Sequence, residues 1–162
     1  MGALCPLFFL GEKVMTYSEL KRRIKSLGFE EDSTMDEYNE IVIDSVNWAL
    51  QTIYDDLVYG MLRAYYTREL STEETPWIPT RPAIITEDTD DDHIIDIPDN
   101  LVELVAPLAA YRLWLDDDQT KAIIYWNEFD QKRERILTAC LSTVKGVIQP
   151  TINGTKWFGI GW

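Results

Sequence analysis

The side chains best spaced for chemistry are the carboxylates of Asp88-x-Asp90-x-Asp92, which repeat the opening of a calcium-binding loop. Asp96 and Asp99 continue the comparison at loop positions nine and twelve. The sharp turn of such a loop needs glycine at position six, and here His93 stands there; position twelve calls for a bidentate Glu. The flanking residues also read as strand rather than as an incoming helix, so a solvated acidic loop is expected and no metal. Paired carboxylates for acid–base work can be drawn anywhere among 28 acidic residues, and no pattern sets two of them in an apolar pocket with separated pKa values. There is no serine elbow, no glycine-rich phosphate loop and no HExxH. His93 is the single histidine, and Cys5 and Cys140 lie far apart, which leaves no material for a Cys/His zinc site or a disulfide framework. The expectation is a protein that is not an enzyme and needs no cofactor.

What remains is binding chemistry. The chain has 162 residues, 46% hydrophobic, with a formal charge of −13, enough apolar material for one packed domain. That acidity counts against a general duplex-DNA binder, whose affinity comes from clustered Lys and Arg. Lys21, Arg22, Arg23 and Lys25 form the one basic cluster. It is either a solvated helix face or a contact with an acidic neighbour, such as the acidic loop of another copy. At the other end, Trp157, Phe158, Ile160 and Trp162 crowd the last six residues. Apolar side chains gathered like this mark interaction sites, and Trp leads among interface hot spots. The segment either folds back on its own domain or docks on a partner.

The elements that would position these groups are mostly helical. Thr16-Tyr-Ser-Glu19 reads as a capping box opening a helix through Tyr17, Leu20, Ile24 and Leu27, with Gly28 as its stop. Thr34-Met-Asp-Glu37 is a second box, opening a long helix through Trp48 and Tyr54 that can run on past Gly60. Pro76, Pro79 and Pro82 then break helix. Residues 71–100 hold nine acidic side chains against Arg81 alone. Within them 82–86 and 93–97 read as two strands joined by the acidic turn Glu87, Asp88, Asp90, Asp91, Asp92, a β-hairpin insertion over about 76–98. After Pro98 a helix apolar nearly all round is expected to be central, with Pro107 as a kink or boundary. Asp118 is placed to cap a last helix, whose ladder is Ala122, Trp126, Phe129, Arg133, Ile136, Cys140 and Val144.

The fold class expected is therefore mainly α: a four-helix bundle over 15–146, with the hairpin between helices two and three and an extended C-terminal arm over 147–162. Residues 1–14 stand apart. The run Leu4–Leu10 has no basic flank, contains Pro6, and is far shorter than the about 20 residues of a membrane span. Gly11-Glu12-Lys13 can be encoded by a purine-rich stretch resembling a ribosome-binding site, so translation starting at Met15 is one reading; a genuine segment that must be buried is the other.

The order of these features resembles the head–tail connector (adaptor) proteins of tailed bacteriophages, the ring-forming group. The residues that carry the resemblance are Tyr17-Ser-Glu-Leu-Lys, then Ser45-Val-Asn-Trp-Ala and Ile53-Tyr-Asp-Asp-Leu. Most specific is Ile97-Pro98-Asp99-Asn100-Leu101-Val-Glu-Leu-Val leading into Ala109-Ala110-Tyr111-Arg112-Leu113-Trp114-Leu115-Asp116-Asp117. Lys121-Ala122 and Tyr125-Trp126-Asn127-Glu128-Phe129-Asp130 follow. The match spans about residues 15–145, and the hairpin and aromatic arm exceed the minimal pattern. Such a resemblance implies a structural virion protein at the capsid–tail junction, assembled in the bacterial cytoplasm. It would be a homo-oligomeric ring, of about twelve copies, seated between the portal protein and a tail or tail-completion protein. DNA would pass through its channel without specific binding, and no membrane is involved. On that reading the arm is the partner contact, Glu87–Asp92 a channel-lining or tail-facing loop, and the basic cluster an inter-subunit face. The alternative from the residues alone is an acidic cation- or protein-binding domain acting as a monomer or dimer.

Overall fold

A computed structural model describes residues 15–27 and 39–145, with a short strand pair at 151–152 and 155–156. The extension 1–14, the second capping box Thr34–Glu37 and the arm residues Trp157, Phe158, Ile160 and Trp162 lie outside the described residues. The protein is mainly helical. Helix α1 covers Tyr17–Ser26, α2 Asn39–Ile53, α3 Arg63–Leu70, α4 Val102–Trp114 and α5 Gln119–Lys145. Strands β1 (Thr151–Ile152) and β2 (Thr155–Lys156) pair antiparallel. Among the described residues there are thus five α-helices where four were expected.

The extra helix comes from a change of winding. After α2 the backbone continues as a π-helical segment, Tyr54–Met61, before α3 begins. The cause is legible in the spacing of Tyr54, Val58, Leu62 and Tyr66, all buried and all four residues apart. In an α-helix of 3.6 residues per turn, three such steps would carry Tyr66 about 120° away from Tyr54. The wider π turn offsets that drift and keeps the apolar row on the core. The Leu62 N–H accordingly donates to the Leu57 carbonyl, five residues back, at 2.8 Å. Gly60 fits this winding because a Cβ there would sit 3.0 Å from the Asp55 carbonyl oxygen. Gly60→Ala, which in an ordinary helix gains about 1 kcal/mol, is expected instead to lower the urea midpoint. A stabilised variant would show that the π winding does not depend on this glycine.

Helix α4 is the centre. Eight of its residues, Val102 and Leu104–Ala110 including Pro107, are buried, and it packs against α1, α2 and α5. A helix surrounded in this way has to be apolar on nearly every side. It is entered through a 3₁₀ turn, Asp99–Leu101, behind Pro98. At its other end, Asp118 caps α5 as its position requires, its Oδ1 accepting from the N–H groups of Thr120 (3.0 Å) and Lys121 (3.1 Å). From α5, Ala122, Phe129 and Cys140 are buried in the common core. Trp126, from the same ladder, stays 39% exposed at the edge.

The β-hairpin expected over 76–98 is not formed, and the described residues there contain no strand. The segment is an extended strap running antiparallel to α2. Tyr54 Oη donates to the Pro79 carbonyl, Gln51 Nε2 to that of Pro82, and Asn47 Nδ2 to that of Ile85 at 2.8 Å. The Ile85 N–H returns a bond to Asn47 Oδ1, also 2.8 Å, so one side chain does for Ile85 what a neighbouring strand would. The second half pairs with the chain entering α1. Thr16 and Ile94 form an isolated antiparallel bridge, Ile95 N–H donates to the Met15 carbonyl, and Tyr17 and Ser18 N–H donate to the carbonyls of His93 and Asp91. The physical reason is a better set of partners. A lone hairpin is marginal in water, whereas the start of α1 offers backbone donors that no helix satisfies internally. The strap takes the first two, and Thr16 Oγ1 takes the third, from Glu19, completing the capping box.

Candidate interaction site

The acidic loop lies at the N-terminus of α1. Glu87, Asp88, Asp90, Asp91 and Asp92 are all exposed. Two turns shape the loop. Thr86 N–H donates to Thr89 Oγ1 (2.8 Å), and His93 N–H to the Asp90 carbonyl (2.9 Å). His93 is therefore a loop residue, half-buried, whose carbonyl serves α1. Among the described residues, no three His, Cys, Asp or Glu side chains converge as a metal site. Carboxylates beside a helix N-terminus are favoured by its dipole, so the loop is electrostatically at home on this chain.

The basic cluster divides. Lys21 turns toward the loop, forming an ion pair with Asp91 while its ammonium lies 4.5 Å from the centre of the Tyr17 ring. Asp91 is largely exposed, so the pair positions the loop more than it stabilises the fold. Burial, with the nearby Asp91 charge, pushes the Tyr17 hydroxyl above its ordinary value. Arg22 is exposed, 3.8 Å from Glu19; Arg23 is half-buried and Lys25 exposed. Between α1, the start of α2 and the loop lies an open cleft of about 330 Å³, lined by Tyr17, Lys21, Ile43, Asp88 and Asp91. The structure thus brings Lys21 to the acidic loop of its own chain and leaves Arg22 and Lys25 facing water.

Two features escape the sequence reading. The first is a row of rings crossing three helices: Trp48 on α2, Tyr111 on α4, and Trp126 and Phe129 on α5, with successive centroids 6.3, 5.0 and 5.4 Å apart. The Arg112 guanidinium lies 5.9 Å from the Trp48 ring. Trp48 and Trp126 are each more than a third exposed, and Ile41 and Ile123, one or two turns away on the same helices, more than half. The seven-residue spacing of Ile41 and Trp48 is the signal that a second, uncovered stripe runs along α2.

The second is a polar cluster joining α3, the entry to α4, and α5. Tyr66 Oη donates to Asn100 Oδ1 at 2.8 Å, and Asn100 Nδ2 approaches Cys140 Sγ at 3.6 Å. Burial pushes the Cys140 thiol above its ordinary 9.0, with hydrogen bonds from Tyr65 and Asn100 opposing it. Burial likewise raises the Tyr66 phenol above 10.0. Both groups are thus held neutral in the folded state beyond the pH at which they would ionise unfolded. Their contribution is full below those ordinary values and is lost as pH rises through the raised ones. A thermal melt series should therefore show the midpoint falling once the pH climbs past about 9–10; a midpoint that rises across that range would contradict the linkage.

No helix among the described residues is long and apolar enough to cross a membrane. No family model, no curated protein and no solved structure matches this chain.

Proposed function

We propose that this chain is a connector-type subunit of a ring between the portal and the tail of a tailed bacteriophage, lengthening the DNA channel and offering the tail its docking surface. The observation that carries the reading is the block 97–117, the most specific part of the resemblance. It also lies at the centre of the described residues: buried Ile97, the Pro98 turn and the enclosed helix α4. The charge distribution supports the same role. An acidic subunit repeated around a channel repels phosphate, so DNA is guided and not held. Portal and tail proteins are then the neighbours above and below, and the aromatic arm, with Trp157, Phe158, Ile160 and Trp162, is the contact with one of them. The loop Glu87–Asp92 faces the channel or the tail. No catalytic step and no cofactor belong to this role.

Negative-stain electron microscopy of the purified chain, alone and mixed with the portal protein encoded beside it, tests the reading. Closed rings with a central channel, of about twelve copies, or rings seated on the portal, are the expected result. Isolated small particles in both samples would instead favour the acidic binding domain acting as a monomer or dimer.

A further inference from the structure

We propose that neighbouring copies meet through two different faces, the ring row of one chain covering the outer face of the strap of the next. The inference rests on the ring reading above and names the surfaces that would close it.

The first face is built and already ordered. Trp48, Tyr111 and Trp126 hold one another by ring contacts, yet Trp48 (37%) and Trp126 (39%) keep much of their surface in water and Ile123 is 59% exposed beside them. Apolar aromatic surface fixed in place before contact loses little conformational freedom on binding. Trp, Tyr and Arg are also the residue types that concentrate interface energy.

The second face is the outside of the strap. Ile85 turns inward onto Asn47 and is 1% exposed, which forces its neighbour Ile84 outward, to 73%. Ile78, earlier on the strap, is also 73% exposed. The two faces do not overlap. The strap follows Asn47 and Gln51 of α2 and Tyr54 just beyond it, and Trp48 lies about 100° further round α2 from Asn47. Two unlike patches on one subunit make a head-to-tail contact, and that is the kind that generates rings when the rotation closes.

Charge favours the same partner. Arg112 is exposed above Trp48 and forms no ion pair with a carboxylate among the described residues. The strap and its acidic loop carry exposed Glu87, Asp88, Asp90, Asp92 and Asp96, while their one cation, Arg81, is tied to Gln51 of α2 and to Asp55 of the π-helical segment. Pairing of Arg112 with the surplus carboxylates of the strap favours head-to-tail encounter, and like charge disfavours contact between two straps. The first face also carries the exposed Asp44, one turn before Trp48 on α2.

The test uses the full-length chain with Trp126→Glu on the first face and Ile84→Glu on the second. Ile123→Glu serves as a second first-face variant, and circular dichroism verifies folding of each. Native mass spectrometry of each variant alone should show assembly lost. A mixture of Trp126→Glu with Ile84→Glu should give a one-to-one heterodimer and nothing larger, because one intact face survives on each. Rings from both variants would overturn these surfaces while leaving the ring itself standing. Loss with Trp126→Glu and Ile123→Glu but not with Ile84→Glu would overturn the strap as the partner, and would point to another occupant such as the C-terminal segment 157–162. A wild-type chain that stays monomeric alone and with the portal would remove the ring reading and this proposal with it.

Discussion

Asn47→Ala is expected to destabilise the domain by about 2–3 kcal/mol, the cost of stranding a buried donor and a buried acceptor together. Both polar groups of the Ile85 peptide depend on this one side chain, at 2.8 Å each, and Ile85 is 1% exposed. No strand of the sheet type stands by to replace it. The loss should be local before it is global: backbone amides of the strap should exchange faster, and proteases should cut it near the acidic loop, while α4 and α5 remain protected. Urea denaturation gives the stability change and hydrogen exchange gives its location. A variant with unchanged midpoint and unchanged strap protection would show that the strap is held by its isoleucines alone. Asn47→Asp separates the two bonds, since a carboxylate can still accept from the Ile85 N–H but can no longer donate to its carbonyl.

In the strap the local sequence pattern and the fold diverge. The alternation of Ile84 with Ile85 and of Ile94 with Ile95 is real, and it sets which side chain is buried and which is exposed. An alternating pattern states that a segment is extended with one face covered; it does not name the partner. Here the partners are Asn47, 38 positions away, and the residues that enter α1, about 80 positions away. Local signals fared better because their partners are local. The Thr16–Glu19 box and the Asp118 cap are satisfied within three residues, and both formed as their spacing requires. Helix α4 was legible because a helix apolar all round has only one place to go.

The site divides along the same line. Lys21 and Asp91 are each visible as members of charged clusters, but only the pairing of the strap with α1 brings them into contact. Trp126 belongs to an apolar ladder by its spacing, and that ladder cannot reveal that the fold leaves its edge uncovered. The break of the second helix follows from the four-residue spacing of Tyr54, Val58, Leu62 and Tyr66, a period that an α-helix cannot keep on one line.

Deleting residues 147–162 is expected to leave the helical domain folded and its self-assembly intact, and to abolish its docking on the portal or tail protein. Leu20 of α1, Leu50 of α2 and Leu104 and Leu108 of α4 are all 0–1% exposed in the core of the described domain. Two tryptophans, a phenylalanine and an isoleucine in the last six residues are, in contrast, more apolar surface than a solvated terminus needs. The far-ultraviolet circular dichroism should be retained, and the unfolding free energy should stay within about 0.5 kcal/mol of the parent, as for changes remote from the core. Native mass spectrometry with the portal and the tail protein should show the mixed complex gone. A retained complex would free the arm from any role in docking, and a lost fold would place the arm in the core of its own chain.

The most direct measurement of the central claim is the mass of the intact chain by native mass spectrometry, alone and after mixing with the portal protein encoded beside it. A discrete ring-sized species in either sample, of about twelve copies of an 18.8 kDa subunit, is the result that the connector account predicts. A strict monomer in both samples, with no portal bound, would contradict it.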